Sequence, residues 1–269
     1  MTCLPPSLRT LLGTSGDGFA LIAEVEPATR PDLMRVRHQI GVLSSVASGF
    51  VIPDNHIGRA TVSSIAVAHE VALMGGRAIA CLNARDRNVL GFRRDLLTAA
   101  AYGVHELLFV YGDRPESGRR SDDLTVQSML HEARRFGDAH NITFTVGVTA
   151  TQQPLPAWKQ EADFLFVQIG FSSEQLCEWR ASVTFDGPVF AGVLVVASAA
   201  MGRKLTTGIP QLAVPDTVLA SLERNRDAGV ELAGQLVSEL RRSRTFEGVH
   251  LVPVARYREV ARRLEALGE

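Results

Sequence analysis

The sequence has little cysteine and none of the common metal-binding spacings. Its three cysteines, Cys3, Cys81 and Cys177, are far apart and form no CxxC pair. An odd number of scattered thiols argues against a disulfide framework or a zinc site and indicates a reducing compartment. The spacings HxxxH and HExxH are absent as well, so we predict no metal site.

Neither sign of charge is in excess, and no apolar run is long. The 28 basic and 29 acidic residues leave a net charge of -1, which gives no basis for binding nucleic acid or an anionic membrane. The longest apolar run, AGVLVVASAAMG at 191–202, is too short to span a bilayer, and no charged-then-apolar leader opens the sequence. We therefore expect a soluble, cytoplasmic protein with a small-molecule partner, in an oligomeric state that the sequence leaves open.

The fingerprints of several enzyme classes are missing. No GxGxxG follows the first apolar run and no GxxxxGK[ST] occurs, which disfavours an open doubly wound sheet, the main alternative fold. No GxSxG elbow supports a serine hydrolase. No Pro/Ser-rich or low-complexity linker divides the chain, so residues 1–269 are predicted to form one domain.

What the sequence does contain is a regular alternation of short apolar runs with segments of helical periodicity. We predict strands at 20–25, 49–52, 77–82, 106–111, 143–149, 163–169, 188–194 and 248–254. Helical segments are predicted at 31–45, 61–75, 90–103, 124–140, 156–162, 172–182 and 216–243, with Gly103 and Gly137 as helix ends. Eight such units predict an α/β fold, a single (β/α)8 TIM barrel, whose active site lies at the carboxyl ends of the strands.

Several of these strand ends carry polar residues, and each allows a functional and a structural interpretation. Glu24 and Glu26, in AEVEPAT, point to the same side of the first strand and are either site carboxylates or solvated ones. Asp113, after the fourth strand, is either a site acid or a turn residue. The ARDRN cluster at 84–88 is either part of a site or a salt-bridged loop whose Asp86 and Asn88 cap the next helix.

Gln168 is the polar residue that stands out in the sixth strand. It lies inside the otherwise apolar DFLFVQI, where a buried amide must find hydrogen-bond partners. We therefore expect a bound ligand or a neighbouring strand end to satisfy it.

The order of these motifs resembles the 5,10-methylenetetrahydrofolate reductase family. AEVEPA places Glu24 and Pro27 where that family has FEFFPP, and the segment 81–115, CLNARDRN to YGDRP, follows its HLTCRDRN and LxGD motifs with close spacing. VQIGFS places Gln168 at the glutamine of the family's TQFFFD, while FAGVLVV and GVHLVPVA are similar to its PGILP and GFHFYTLN. The resemblance implies a (β/α)8 barrel that reduces methylenetetrahydrofolate with a nicotinamide cofactor, usually through FAD.

The resemblance also implies roles for individual residues. Glu24 would be the general acid that protonates N10 of the folate. Asp113 would be catalytic and touch the pterin, where a carboxylate steadies the iminium charge, and Gln168 would bind the pterin edge. The implied cofactor contacts are Asn83, Arg85, Tyr111, Gly112 and Thr149.

The differences from the family are concentrated in the motifs that contact the flavin. Cys81 replaces the histidine of HLTC, VTATQQPLP at 148–156 replaces a YPExHP-like motif, and residues 150–162 offer Lys159 as their only basic group. A diphosphate needs helix-start amides or several cations, so we expect FAD to be absent or weakly bound and NADH or NADPH to pass hydride directly. Arg85, Arg87 and Arg114 are then candidate phosphate partners, with helix-capping and surface roles as the alternative.

Two other functions stay open at this point. A folate-binding barrel without reductase activity, acting as a partner or regulator, is favoured by the eroded cofactor motif, whereas the retained acid argues against it. A lyase or transferase would be expected to carry a Schiff-base lysine at a strand end. The only lysines, Lys159 and Lys204, lie outside the predicted strands.

Overall fold

Eight parallel strands close into a barrel in chain order, as expected for a (β/α)8 fold. The computed structural model describes residues 18–209 and 212–268; the remainder of the predicted domain 1–269 lies outside the described residues. The strands are Ala20–Glu24 (β1), Gly49–Ile52 (β2), Ala78–Asn83 (β3), Glu106–Val110 (β4), Thr145–Ala150 (β5), Phe164–Ile169 (β6), Val189–Leu194 (β7) and Gly248–Val252 (β8). The predicted fold class is confirmed.

Nine α-helices surround or extend this barrel within the described ranges. They are Met34–Leu43 (α1), Ser64–Leu73 (α2), Val89–Ala101 (α3), Val126–His140 (α4), Ser173–Ser182 (α5), Ala199–Gly208 (α6), Asp216–Arg224 (α7), Ala228–Ser243 (α8) and Tyr257–Leu267 (α9). The connection from β5 to β6 contains only a 3-10 turn, Ala157–Glu161.

The predicted helix at 216–243 is wrong, because two helices occupy that segment. The break lies between α7 and α8, where the Asn225 side chain accepts a hydrogen bond from the Asp227 N–H at 2.9 Å. An asparagine bonded two residues ahead favours a turn over a continuing helix. Two further helices, α6 and α9, lie in segments where the sequence analysis predicts none.

Side-chain caps explain where α3 and α4 begin. Asn88 accepts a hydrogen bond from the Gly91 N–H at 2.8 Å, which confirms its predicted capping role. Thr125 and Ser128 form a capping box at the start of α4. Gly103 follows α3 with a φ of +68°, but Gly137 lies inside α4 and its predicted role as a helix end is wrong. A Cβ at Gly137 would lie 2.5 Å from the Ile142 carbonyl oxygen, so close packing explains this glycine.

Aromatic rings fill the amino-terminal half of the barrel lumen. The rings of Phe164, Phe166 and Phe190 contact one another with centroids 5.1 to 6.2 Å apart. Gly147 makes room for them, since a Cβ there would lie 2.0 Å from the Phe164 ring. Because this end is closed by packed side chains, the space for a ligand lies at the carboxyl ends of the strands.

Helices α6 and α7 form an insertion between β7 and α8. Their apolar side chains pack with Leu194, Val196 and Val252, which lie at or beyond the carboxyl ends of β7 and β8. The insertion therefore covers the rim of the barrel above these two strands. Within residues 18–209 and 212–268, none of the helices combines the length and the apolarity that crossing a membrane requires.

Candidate functional site

A carboxylate and an imidazole meet at the mouth of the barrel, where its first and last strands pair. Ile22 of β1 lies opposite His250 of β8, and the next lumen-facing residue of β1 is Glu24. The distance from His250 Nε2 to Glu24 Oε2 is 3.2 Å, with the two side chains 15% and 16% exposed. The His250 ring also lies against Phe166, with centroids 5.0 Å apart. The pair is thus largely enclosed but not sealed off, so it can exchange a proton with a molecule in the mouth.

The neighbouring acid, Glu26, lies on the outer rim instead. Its carboxylate is exposed and pairs with Arg35 at 2.6 Å. Its backbone N–H and C=O each bond the buried Gln39 side chain at 3.1 Å. Because α1 thereby holds the segment that follows β1, Glu26 contributes to the scaffold while Glu24 occupies the mouth.

Cys81 shares the lumen with Glu24. It belongs to the same cluster of lumen side chains as Ile22 and Phe166. Burial raises the pKa of the Cys81 thiol well above its usual value, and the nearby carboxylates of Glu24 and Asp54 raise it further. The thiol is therefore neutral and unreactive, and it gives the Glu24 carboxylate an uncharged neighbour.

Asn83, a predicted cofactor contact, is buried in a network of internal hydrogen bonds. Its Nδ2 donates to Asp54 Oδ2 at 2.8 Å and to Asp86 Oδ2 at 2.9 Å, and its Oδ1 accepts from the Asp86 N–H. Arg87 is held by Asp54 and by Asp95, the latter at 2.8 Å. Burial alone would lower the pKa of Arg87, but these two carboxylates raise it above its usual value. These internal contacts give Asn83 a structural role and favour the salt-bridged-loop interpretation of the ARDRN segment for Arg87. The Asp86 carboxylate accepts from the Asn55 and Asn83 amides, while the cap of α3 is Asn88, so the predicted capping role of Asp86 is wrong.

Gly112, Tyr111 and Arg85 form the rim above β3 and β4. Gly112 has a φ of +94°, and a Cβ there would lie 2.9 Å from the Asn83 Cβ, so only glycine fits this contact without displacement. The Arg85 guanidinium lies 4.7 Å from the centroid of the Tyr111 ring, which is about half exposed. All three are cofactor contacts that the family resemblance implies, and the structure brings them to one sector of the mouth.

Asp113 joins two loops at the carboxyl face. Its Oδ2 accepts a hydrogen bond from the Ile57 N–H at 2.9 Å, in a loop where Asn55, Ile57 and Gly58 all have left-handed backbone angles. This contact gives Asp113 a structural role, in agreement with its interpretation as a turn residue. The strands that carry Glu24 and Asp113, β1 and β4, are separated in the barrel by β2 and β3.

Thr149 and Gln168 end two neighbouring strands on the opposite side of the mouth. Thr149 lies opposite Phe166 in the β5–β6 register, and its carbonyl accepts a hydrogen bond from Lys159 Nζ at 2.7 Å. Gln168 is exposed, so its expected burial is wrong. The β6–β7 register shifts between Phe166 and Ile169, and this irregularity places the amide at the open end of the strand.

The connection between β5 and β6 does not fit the diphosphate of FAD, the cofactor that the family resemblance implies. Lys159 is its only basic side chain, and this amine already donates to the Thr149 carbonyl. Burial lowers the pKa of Lys159, which weakens it further as an anion partner. A 3-10 turn of five residues also lacks the helix start that binds phosphate in other folds.

His250 lies in the mouth, but it is absent from the predicted site residues. The available signal was its position in GVHLV, where a polar residue stands among apolar ones in a strand that the barrel buries. Its partner Glu24 lies 226 residues away in sequence, so their contact depends on closure of the barrel.

Comparison with models of known protein families gave no match, and neither did comparison with curated proteins. Among solved structures, the chain is similar to an uncharacterized protein from Clostridium thermocellum that binds two copies of 5-methyl-5,6,7,8-tetrahydrofolic acid. The TM-score is 0.63 at 12% identity, covering 93% of this chain and 96% of that one.

Weaker likenesses link the chain to two enzymes. Tryptophan synthase from M. tuberculosis gives a TM-score of 0.46 at 18% identity, over 83% of this chain and 93% of that one. Oxaloacetate acetylhydrolase gives 0.48 at 12% identity, over 88% and 95%. At such identities, the likeness to the Clostridium thermocellum protein shows that the two chains share a fold.

Proposed function

We propose that the chain binds a reduced folate at the carboxyl end of the barrel and reduces 5,10-methylenetetrahydrofolate to 5-methyltetrahydrofolate with NADH or NADPH. The observation that carries this proposal is the Glu24 carboxylate in the mouth, 3.2 Å from His250. Two further facts support it. The motif order resembles that reductase family, and the Clostridium thermocellum protein of the same fold binds the proposed product.

The reaction needs a proton and a hydride at different atoms of the folate. Methylenetetrahydrofolate, NAD(P)H and one proton give 5-methyltetrahydrofolate and NAD(P)+. Glu24, as general acid, protonates N10, so that the bond from N10 to the methylene carbon breaks and leaves an iminium cation at N5. The nicotinamide, when bound, supplies the hydride that reduces the methylene carbon. His250 orients the Glu24 carboxyl group and returns a proton to it after each turnover.

Two other residues have proposed contacts with the substrate. Gln168 offers an exposed amide that can both donate to and accept from the pterin edge. Asp113 is exposed and accepts a hydrogen bond from the Ile57 N–H. It forms no ion pair within residues 18–209 and 212–268, so its charge is available to the iminium group or the nicotinamide. In this proposal the hydride passes directly from the nicotinamide, because the β5–β6 connection offers no free cation for a flavin.

Folate binding without reduction is the second candidate. It is favoured by the lack of fit to FAD and by the shared fold with a protein whose known ligand is 5-methyltetrahydrofolate. The two functions differ in whether the acid at the mouth is needed. A binding protein would tolerate its loss, whereas a reductase would not.

A pair of variants separates these functions. We expect Glu24→Gln to lower kcat by at least about 100-fold while 5-methyltetrahydrofolate still binds, because a general acid contributes roughly that much. Glu26→Gln is the matched control, since that acid lies on the rim and pairs with Arg35, and it should retain the wild-type rate. Anaerobic assays with both nicotinamides, together with folate titrations, measure these effects. Full activity of Glu24→Gln would show that Glu24 is not the general acid.

A further inference from the structure

Three arginines surround an open depression on the rim of the barrel. It lies between the loops that follow β3 and β4 and has a volume of about 490 Å³. Its lining comprises Arg85, Arg114, Pro115, Glu116, Ser117, Gly118 and Arg120. The lining therefore brings three guanidinium groups together beside the mouth.

Arg85 is short of acceptors. Its Nε is buried, yet it has no hydrogen-bond partner among the described residues. Its guanidinium lies over the Tyr111 ring, a contact that fixes its plane but accepts no hydrogen bond along the N–H directions. A buried donor without an acceptor costs free energy. Because Arg85 lines the depression, the guanidinium nitrogens beyond this Nε are the donors that an anion there can reach.

The other two arginines are at most partly neutralised. Arg114 makes no hydrogen bond or ion pair with its side chain in the part of the chain that the structure describes. Arg120 donates to the Tyr111 hydroxyl at 3.0 Å and pairs with the exposed Asp122 at 2.9 Å. The one acid in the lining, Glu116, faces Arg59 at 3.3 Å. The depression is therefore positive overall.

Arg87 differs from these three arginines in how its donors are used. Its contacts with Asp54, Asp95 and the Asn83 carbonyl use its donors inside the protein. Of the three arginines that the sequence analysis names as phosphate partners, Arg87 is thus excluded, whereas Arg85 and Arg114 are free to bind an anion.

The loop after β4 is held in place before any ligand arrives. Asp113 accepts from the Ile57 N–H, and the Glu116 N–H donates to the Gly58 carbonyl at 2.9 Å. The Ser121 N–H donates to the Arg85 carbonyl at 2.6 Å, which closes the loop onto the end of β3. A site that is already ordered loses less conformational entropy when a ligand binds to it.

We propose that Arg85, Arg114 and Arg120 bind the diphosphate of the nicotinamide dinucleotide. This inference rests on the proposed function. A diphosphate presents several oxygens at once, which suits paired guanidinium forks better than a single carboxylate does. The depression adjoins Tyr111 and lies above β3 and β4, whereas Glu24 and His250 lie on β1 and β8. The diphosphate would therefore lie in a different sector of the mouth from the Glu24–His250 pair.

Binding measurements on wild type and variants test this site without any need for turnover. The probes are inorganic diphosphate, NADH, NADPH and a triglutamyl folate, each titrated by calorimetry. We expect Arg114→Ala to weaken diphosphate and both dinucleotides by about 10-fold or more, and to leave the folate unchanged. Arg85→Lys, which keeps the charge but loses the fork, should weaken them as well. Arg119→Ala is the matched control, because this arginine lies in the same loop but does not line the depression.

The outcomes separate this site from the reductase itself. If Arg114→Ala and Arg119→Ala bind diphosphate and dinucleotide equally well, the site is wrong whatever the turnover. If Arg114→Ala weakens the triglutamyl folate instead, the depression serves the folate tail and the proposal fails. If dinucleotide binding depends on Arg114 but the wild type reduces no folate, the site stands and the reductase function fails.

Discussion

At the scale of single residues, the lumen changes the acidity of the Cys81 thiol. It stands where the resembled family has a histidine, and it lies buried near two carboxylates. Burial and these charges raise the pKa of the thiol, so its thiolate fraction at a given pH is smaller than that of an ordinary cysteine.

We expect Cys81 to resist alkylation in the folded protein. At about pH 8, iodoacetamide should modify the partly exposed Cys177 well before Cys81, whereas in urea both should react. Peptide mass spectrometry over a time course measures the two rates. Equal rates in the native protein would show that the lumen is open to solvent at Cys81.

Single residues also show what the sequence could and could not predict. The position of Glu24 at the end of β1 was predictable from its apolar strand, and the cap at Asn88 from its place before an apolar periodic segment. His250 and the exposure of Gln168 were not, because the first depends on closure of the barrel and the second on a register shift between β6 and β7. Both properties arise from strand pairing, which a single sequence does not encode locally.

At the scale of elements, the lumen depends on one small residue in β5. Gly147 faces the Phe164 ring at a distance that excludes a Cβ. We expect Gly147→Ala to lower the free energy of unfolding by about 1 to 3 kcal/mol, the usual cost of overpacking a core. Urea unfolding measures this loss.

The control for this change lies in a helix. Gly41, inside α1, has no atom within 4 Å of an added Cβ. Gly41→Ala should leave stability unchanged or raise it by up to about 1 kcal/mol, because alanine is the better helix former. Equal effects of the two substitutions would contradict the packed lumen.

An acid of α4 links that helix to α3. Glu132 is buried and pairs with Arg93 and Arg135. Burial alone would raise the pKa of Glu132, but the two arginines hold it below its usual value. A lowered pKa in the folded state stabilises the protein above the pKa of an unfolded glutamate, and this contribution is lost as the pH falls.

We therefore expect Glu132→Gln to destabilise the protein by about 1 kcal/mol at neutral pH and by less below about pH 4. Urea unfolding at several pH values measures the difference. Glu265→Gln, at an exposed position of α9, is the control and should have no effect at any pH. A loss for Glu132→Gln that is the same at acid and neutral pH would exclude the ionic contribution.

The elements themselves were largely predictable. Every strand lies within two residues of its predicted bounds, because buried parallel strands are continuous apolar runs with clear ends. The break between α7 and α8 and the helices α6 and α9 were missed. Helix α6 begins in a Gly- and Ala-rich continuation of β7, where periodicity does not separate strand from helix.

At the scale of the whole molecule, barrel closure assembles the site from distant segments. It joins Glu24 to His250, places Gln168 and Thr149 at the far side of the mouth, and sets Tyr111 and Arg85 above β3 and β4. The short β5–β6 connection has Lys159 as its only basic side chain, and this amine already donates to the Thr149 carbonyl. The central claim of the proposed function is a direct passage of hydride from nicotinamide to folate.

Isotope transfer tests this claim most directly. The purified protein is given methylenetetrahydrofolate and NADH or NADPH that carries deuterium at the transferred position of C4, anaerobically and without flavin. We expect one deuterium in the methyl group of 5-methyltetrahydrofolate, detected by mass spectrometry, and no increase in rate when FAD is added. An unlabelled methyl group, or reduction only after FAD is added, would contradict direct transfer, since a reduced flavin exchanges its hydrogen with water.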